Sequence, residues 1–166
     1  MDVPRLATPG EAIVVAELLD AFNQEFATPT PGIRVLAERL TALLEREDTL
    51  ALLVGEPAVG VALVTLRPNV WYEGPVALLD ELYVVPGSRG EGLGSLLLEA
   101  VEDHVGERGA ELVEINVDGE DVDARRFYEH HGYRNRDPGQ PEPQLYYSRE
   151  LGPQPGPDRR RPQPGT

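Results

Sequence analysis

The chain has 166 residues, 40% of them hydrophobic, which suits one domain with a sizeable core. It carries no cysteine, and this excludes disulfides, a thiolate nucleophile and thiolate zinc sites. With 15 basic against 29 acidic residues the net charge is −14, which disfavours nucleic acid and anionic membranes and suits either plain solubility or attraction of cationic amines.

Val3 to Ala7 predicts a short first strand, followed by the turn Thr8-Pro9-Gly10, with Thr8 as N-cap and Glu11 completing a capping box. Val14, Leu18, Ala21 and Phe22 recur at helical spacing, so a helix is expected to about Phe26, with Ile13, Ala16, Glu17 and Asp20 off that stripe. The run Thr28-Pro29-Thr30-Pro31-Gly32 breaks it, and Val35, Leu36, Leu40, Leu43 and Leu44 mark a second helix. Strands at Thr49 to Val54 and Val59 to Leu66 flank the turn Gly55-Glu56-Pro57 as a hairpin. A loop carrying Trp71 and Tyr72 leads into a strand from Val76 to Val85, closed by Pro86-Gly87-Ser88. From about Gly92 a helix shows the stripe Leu93, Leu96, Leu97, Ala100, Val101 and Val105, and Gly109 ends that region. A strand over Leu112 to Val117, a helix over Asp121 to His131 closed by Gly132, and a last strand over Gln144 to Glu150 complete the pattern.

The order of these elements predicts an α/β (α+β) fold, a mixed central sheet with helices on both faces, in one domain over residues 1–151. Residues 152–166 combine Pro, Gly and Arg without apolar periodicity and read as a disordered tail. No signal-peptide pattern opens the chain and no apolar run approaches membrane-spanning length, so a cytoplasmic protein is expected. His104, His130 and His131 form no metal-binding motif, and no metal site is expected.

The most informative stretch is Leu82-Tyr83-Val84-Val85-Pro86-Gly87-Ser88-Arg89-Gly90-Glu91-Gly92-Leu93-Gly94-Ser95. A strand ends, a glycine-rich turn follows and an amphipathic helix begins. The first amides of a helix lack internal partners and sit at the positive end of its dipole. Gly90, Gly92 and Gly94 let backbone approach a ligand closely, and Arg89 adds a cation suited to phosphate oxygens. These features predict an anion site, most simply for phosphate. It is not a P-loop, since Leu93 stands where lysine is required. Nor is it a dinucleotide fingerprint, since the third glycine falls on Ser95 or Leu97.

The pattern Arg-x-x-Gly-x-Gly after a strand ending Leu82-Tyr83-Val84-Val85-Pro86 resembles motif A of the GCN5-related N-acetyltransferases (GNAT). Downstream, Asp121-Val122-Asp123-Ala124-Arg125-Arg126-Phe127-Tyr128-Glu129-His130-His131-Gly132-Tyr133 resembles the same family's N-x-x-A-x-x-F-Y-x-x-x-G-[FY] motif, with Asp121 where the family often has Asn. The resemblance implies an acetyl-CoA-dependent N-acetyltransferase acting by direct transfer on a primary amine, a small molecule or a protein amino group, without a metal. A non-catalytic CoA-binding sensor on the same fold is the alternative, and dimers are common in the family.

The resemblance also assigns roles. Main-chain groups of Leu82, Tyr83 and Val84 would pair with the pantetheine amides, and one strand amide there would hold the oxyanion. The loop Arg89, Gly90, Glu91, Gly92, Leu93, Gly94 and Ser95 would bind the pyrophosphate. Asp121 and Ala124 would lie along the pantetheine arm, with Asp121 as helix N-cap the competing role. Tyr128 would protonate the departing thiolate, an exchange of modest cost between a phenol and a thiol. Glu81, with Asp80 second, would take the amine proton; strand alternation would send their side chains to opposite faces. Glu25 and Phe26 after the first helix, and Trp71 and Tyr72 before the site strand, would wall the acceptor pocket. For each of the two latter aromatics, hairpin packing or a dimer contact competes with that role.

Overall fold

A computed structural model describes residues 2–152. They fall into two compact units, one through Ile115 and one from Asn116 onward. The first holds a five-stranded sheet in the order β1-β2-β3-β4-β5: β1 Arg5–Leu6, β2 Thr49–Val54, β3 Gly60–Arg67, β4 Val76–Val84 and β5 Leu112–Ile115. The first four strands pair antiparallel and β4 pairs with β5 in parallel, so the sheet is mixed. Strand β1 is shorter than the sequence suggests because Pro4 has no N–H to give; pairing begins at Arg5 and continues as Ala7 N–H donating to Ala51 C=O.

Helices cover both faces. Helix α1, Ala12–Glu25, and helix α2, Ile33–Leu44, lie on one. A buried cluster there joins Val15, Ala16 and Leu19 of α1 to Ala51, Leu53, Val61 and Tyr83 of the sheet. The buried stripe of α1 is therefore Ala12, Val15, Ala16 and Leu19, with Leu18 beside it. The expected stripe is out of phase: Ala21 is exposed, and Ala16 is buried. A run as apolar as Ala12 to Leu19 offers several faces, and the long-range fit against the sheet selects one.

Helix α3, Leu93–Glu107, takes the other face. Leu97 packs beside Gly60 of β3 so closely that a Cβ there would lie 3.1 Å from its Cδ1. Its buried residues are Leu93, Leu97, Leu98, Val101 and Val105; Leu96, expected in the stripe, lies at the exposed rim, and Leu98 takes its place. A Schellman closure ends α3: Gly109 sits at φ +86°, its N–H donates to Gly106 C=O and Ala110 N–H donates to Val105 C=O.

In the second unit α4, Val122–His130, ends the same way, with Gly132 at φ +87°, Gly132 N–H donating to Glu129 C=O and Tyr133 N–H to Tyr128 C=O. The last expected strand does not form. Residues 144–150 have no ladder and are exposed throughout. Pro141 and Pro143 just before them supply no N–H, and the Gln144 N–H is taken by Asn135 C=O. The expected tail lies, apart from Gly152, outside the described residues. Among the described residues no helix is long and apolar enough to cross a membrane.

Candidate active site

Strand β4 changes partners halfway. Its first four residues, Val76 to Leu79, pair with β3 on one side and β5 on the other. Beyond Leu79 the ladder to β5 stops. On the β3 side, Leu63 pairs with Glu81 but Val64 pairs with Leu79, so Asp80 is one extra residue, a β-bulge.

The bulge reverses the side-chain alternation. Cross-strand neighbours share a face, so Glu81 and Tyr83 lie with Leu63 and Val61, and below the bulge Leu78 lies with Thr65. Asp80 and Glu81, expected on opposite faces, instead line the same cavity of about 410 Å³, together with Leu63, Thr65, Thr49 and Leu43. The Thr65 hydroxyl donates to Asp80 Oδ2 at 2.5 Å and orients that carboxylate. Burial pushes the Asp80 carboxyl above its usual range, and the Thr65 hydrogen bond works against the rise. A larger cavity, about 640 Å³, opens between Leu6, Leu44, Leu66 and Arg108 and holds none of the candidate residues.

Above the bulge β4 leaves one edge without a strand partner in this unit. Val85 N–H donates to Val59 C=O, so by alternation Tyr83 turns its main-chain groups to β3, and Leu82 and Val84 turn theirs to the open edge. Tyr83 thus has its main-chain groups on β3, and the Val84 C=O accepts from Arg89 Nε, which leaves the Val84 N–H and the groups of Leu82 on the open edge. The Tyr83 ring is buried against Phe22, with centroids 5.0 Å apart. Burial, and then the nearby Glu25 charge, raise its phenol above the usual value, while Arg89 lowers it.

The turn after β4 is built as the glycines require. Pro86–Ser88 forms one 3₁₀ turn, Gly90 sits at φ +83°, and Gly92 at φ +81° is the N-cap of α3. Among the described residues no side chain caps α3, so the amides of Leu93, Gly94 and Ser95 are offered at the positive end of the helix beside exposed Gly90 and Glu91. Arg89 differs from expectation. Its Nη2 donates to both Glu25 oxygens at 2.9 and 2.7 Å, and its Nε donates to Val84 C=O at 2.8 Å. Arg89 is thus engaged within the protein rather than aimed outward at phosphate, and Glu25 is held at the loop rather than in an acceptor pocket.

Phe26, half-exposed, packs edge-on against Phe22 at 5.3 Å. Trp71 is 87% exposed and Tyr72 39% exposed, in a loop ordered by Asn69. The Asn69 Oδ1 accepts from both their N–H groups at 2.8 Å, and its Nδ2 donates to Gly74 C=O at 2.9 Å. In the second unit the Asp121 side chain accepts from Ala124 N–H at 3.0 Å, so both are used in capping α4. Tyr128 is buried, edge-on to Phe127 at 5.0 Å and to Tyr133 at 5.7 Å.

Three contributors escape a reading of the sequence. Thr65 is 15 residues from the carboxylate it orients, and nothing local marks it. Asn69 carries a recognisable signal, since Asn two residues before a turn's end favours an Asx turn. Asp20 is 5% exposed and ties α1 to the connection that follows, accepting from Gln24 Nε2 at 2.6 Å and Thr30 Oγ1 at 2.7 Å. Among the described residues no group of histidine and acidic side chains is placed to hold a metal ion.

Residues 14–133 match the model of the acetyltransferase (GNAT) family. An uncharacterized N-acetyltransferase of Bacillus subtilis, YhfO, is 28% identical over 131 residues, covering 78% of this chain and 87% of the relative. The aminoalkylphosphonate N-acetyltransferase of Salmonella typhimurium is 35% identical over 85 residues, 51% of this chain and 54% of that protein, so the match spans about half of it. A crystal structure from Arthrobacter sp. FB24, designated an acetyltransferase, superposes with a TM-score of 0.86 at 59% identity, covering 91% of this chain and 97% of that one. GNAT enzymes generally use acetyl-CoA as donor and acetylate amines. With residues 14–133 matched by the family model, the chain belongs to the GNAT family and is an N-acetyltransferase.

Proposed function

We propose that this enzyme moves the acetyl group of acetyl-CoA directly to a primary amine, on a small molecule or a protein, in the cavity beside the β4 bulge. The observation that carries the reading is the bulge itself. One inserted residue brings Asp80 and Glu81 onto a single cavity at the point where β4 releases β5. The residues present suit the donor: the open edge has the main-chain groups of Leu82 and the Val84 N–H, and the start of α3 has amides for a pyrophosphate. Acetyl-CoA supplies an activated thioester, so the protein need supply only position and proton transfer.

An ammonium must lose a proton before it can attack a carbonyl. Asp80 is assigned as the proton acceptor, because burial raises its affinity for the proton and Thr65 fixes its orientation. Glu81 lines the same cavity and is suited to anchoring the cationic form of the amine. Main-chain N–H on the open edge of β4 is suited to holding negative charge that develops on the carbonyl oxygen. Tyr128, in the family's second motif, is the proton donor to the departing sulfur. This chemistry forms no acyl-enzyme, in keeping with a chain that has no cysteine.

The test is release of free CoA thiol from acetyl-CoA across a panel of primary amines. Amine-dependent release, lost in Asp80→Asn and reduced in Tyr128→Phe, is the expected result. CoA binding with no release on any amine would leave the fold without the proposed chemistry.

A further inference from the structure

The last turn of α1 reaches the glycine loop through one side chain. Glu25, the final residue of α1, receives both hydrogen bonds from Arg89 Nη2, and Arg89 Nε closes on the Val84 carbonyl. The guanidinium carbon lies 5.6 Å from the centre of the Tyr83 ring. Tyr83 in turn packs on Phe22, one turn before Glu25. Arg89 therefore ties together three elements: the end of α1, the end of β4 and the first residue of the loop. A planar guanidinium is suited to such bridging, because its N–H groups diverge at fixed angles.

Two consequences follow for a ligand at the loop. The Glu25 carboxylate offsets the Arg89 charge, so an anion there meets neutral amides and the α3 dipole instead of an unpaired cation. Arg89 also occupies the Val84 carbonyl, which fixes where β4 ends and the direction in which Gly90 leaves it.

We propose that Glu25 is a positioning residue for the donor site: through Arg89 it holds the glycine loop against the end of β4, keeping the amides from Gly90 to Ser95 aligned for the pyrophosphate. This rests on the reading that the loop binds CoA. Arg89, in this account, is a strut and not a phosphate ligand. Glu25 acts on the donor and not on the acceptor amine.

The experiment is calorimetric titration of CoA into the full chain and into Glu25→Gln, Arg89→Lys and the double variant, at several salt concentrations. Lysine keeps the charge but cannot bridge Glu25 and Val84. Each single change is expected to weaken CoA binding about fivefold, the scale of one partly exposed ion pair. The double variant should be no weaker than either single, because both break one unit. The salt dependence should stay as in the wild type, and in turnover the effect should appear in KM for acetyl-CoA rather than in kcat.

Tighter binding by Glu25→Gln, with a steeper salt dependence, would overturn the proposal, since it would show Arg89 released to act on phosphate. Full affinity in Arg89→Lys would overturn it too, as would a fall in Tm without a change in CoA affinity. If Glu25→Gln does not fold, Arg89→Lys decides alone. Wild-type protein that fails to bind CoA would instead remove the donor reading on which the proposal stands.

Discussion

The two halves of β4 belong to one strand and do different work. Val76 to Leu79 lie between two neighbours, with Val76, Ala77 and Leu79 buried, and hold the sheet together. Asp80 bulges out of the ladder and Glu81 to Val84 keep β3 but lose β5, and the candidate carboxylates and the open main-chain edge are found there. The single inserted residue between them makes the difference. A regular strand would have continued the ladder and sent Asp80 and Glu81 to opposite faces. The bulge gives up hydrogen bonds on one edge and gathers two carboxylates on one side, which is the exchange a binding site asks of a sheet.

That contrast is open to direct attack. The largest effect should come from the lower half: Leu79→Ala removes a side chain that is 1% exposed and should cost about 3 kcal/mol of stability in chemical unfolding. CoA affinity per folded molecule should stay close to wild type; a proportionate loss of affinity would mean the halves are not separable. At the upper end, Gly92→Val forces a β-branched residue into φ +81° at the α3 N-cap and should weaken CoA binding by about 100-fold, or 2.7 kcal/mol, in titration. Next, Asp80→Asn should lower kcat/KM about 100-fold with CoA affinity retained, and flatten the acidic limb of the pH–rate profile. If Glu81→Gln produces that flattening and Asp80→Asn does not, the two carboxylates exchange roles. Tyr128→Phe should lower kcat about tenfold while sparing CoA affinity, measured in the same assays.

Much of this was legible in the sequence wherever the cause is local. Glycines at the ends of α3 and α4 announce left-handed closures, and the residues from Pro86 to Ser95 spell a turn feeding a helix whatever surrounds them. Both family motifs are local in this sense. What escaped depends on partners distant in the chain. The bulge at Asp80 is defined only by counting β4 against β3, and nothing in Leu78-Leu79-Asp80-Glu81 betrays it. Arg89 looks like a phosphate ligand until Glu25, 64 residues away, is found on its guanidinium. The face of α1 and the expected strand at residues 144–150 failed for a related reason: periodicity proposes a surface or a ladder, but only a fitting partner realises it.

The smallest predicted effect bears most directly on why the upper half is built as it is. Burial disfavours the charged form of Asp80, so its carboxyl binds a proton more tightly in the folded chain than in the unfolded one. A group raised in this way contributes stability that is fully present below the unfolded aspartate value, about 3.9, and is lost as pH rises through the higher folded value. At neutral pH the ionised carboxylate is therefore a small liability. Thr65 reduces it without cancelling it. Asp80→Asn keeps a hydrogen-bonding group of similar size and removes the charge, so it should raise stability at pH 7 by about 0.5 kcal/mol, in the same variant that loses activity. The gain should shrink as the pH of the unfolding experiment is lowered, because the wild-type carboxyl takes up its proton in the fold before it does in the unfolded chain. A gain that persists unchanged at low pH would have another origin, and a loss at pH 7 would mean that Asp80 supports the bulge instead of being tolerated by it.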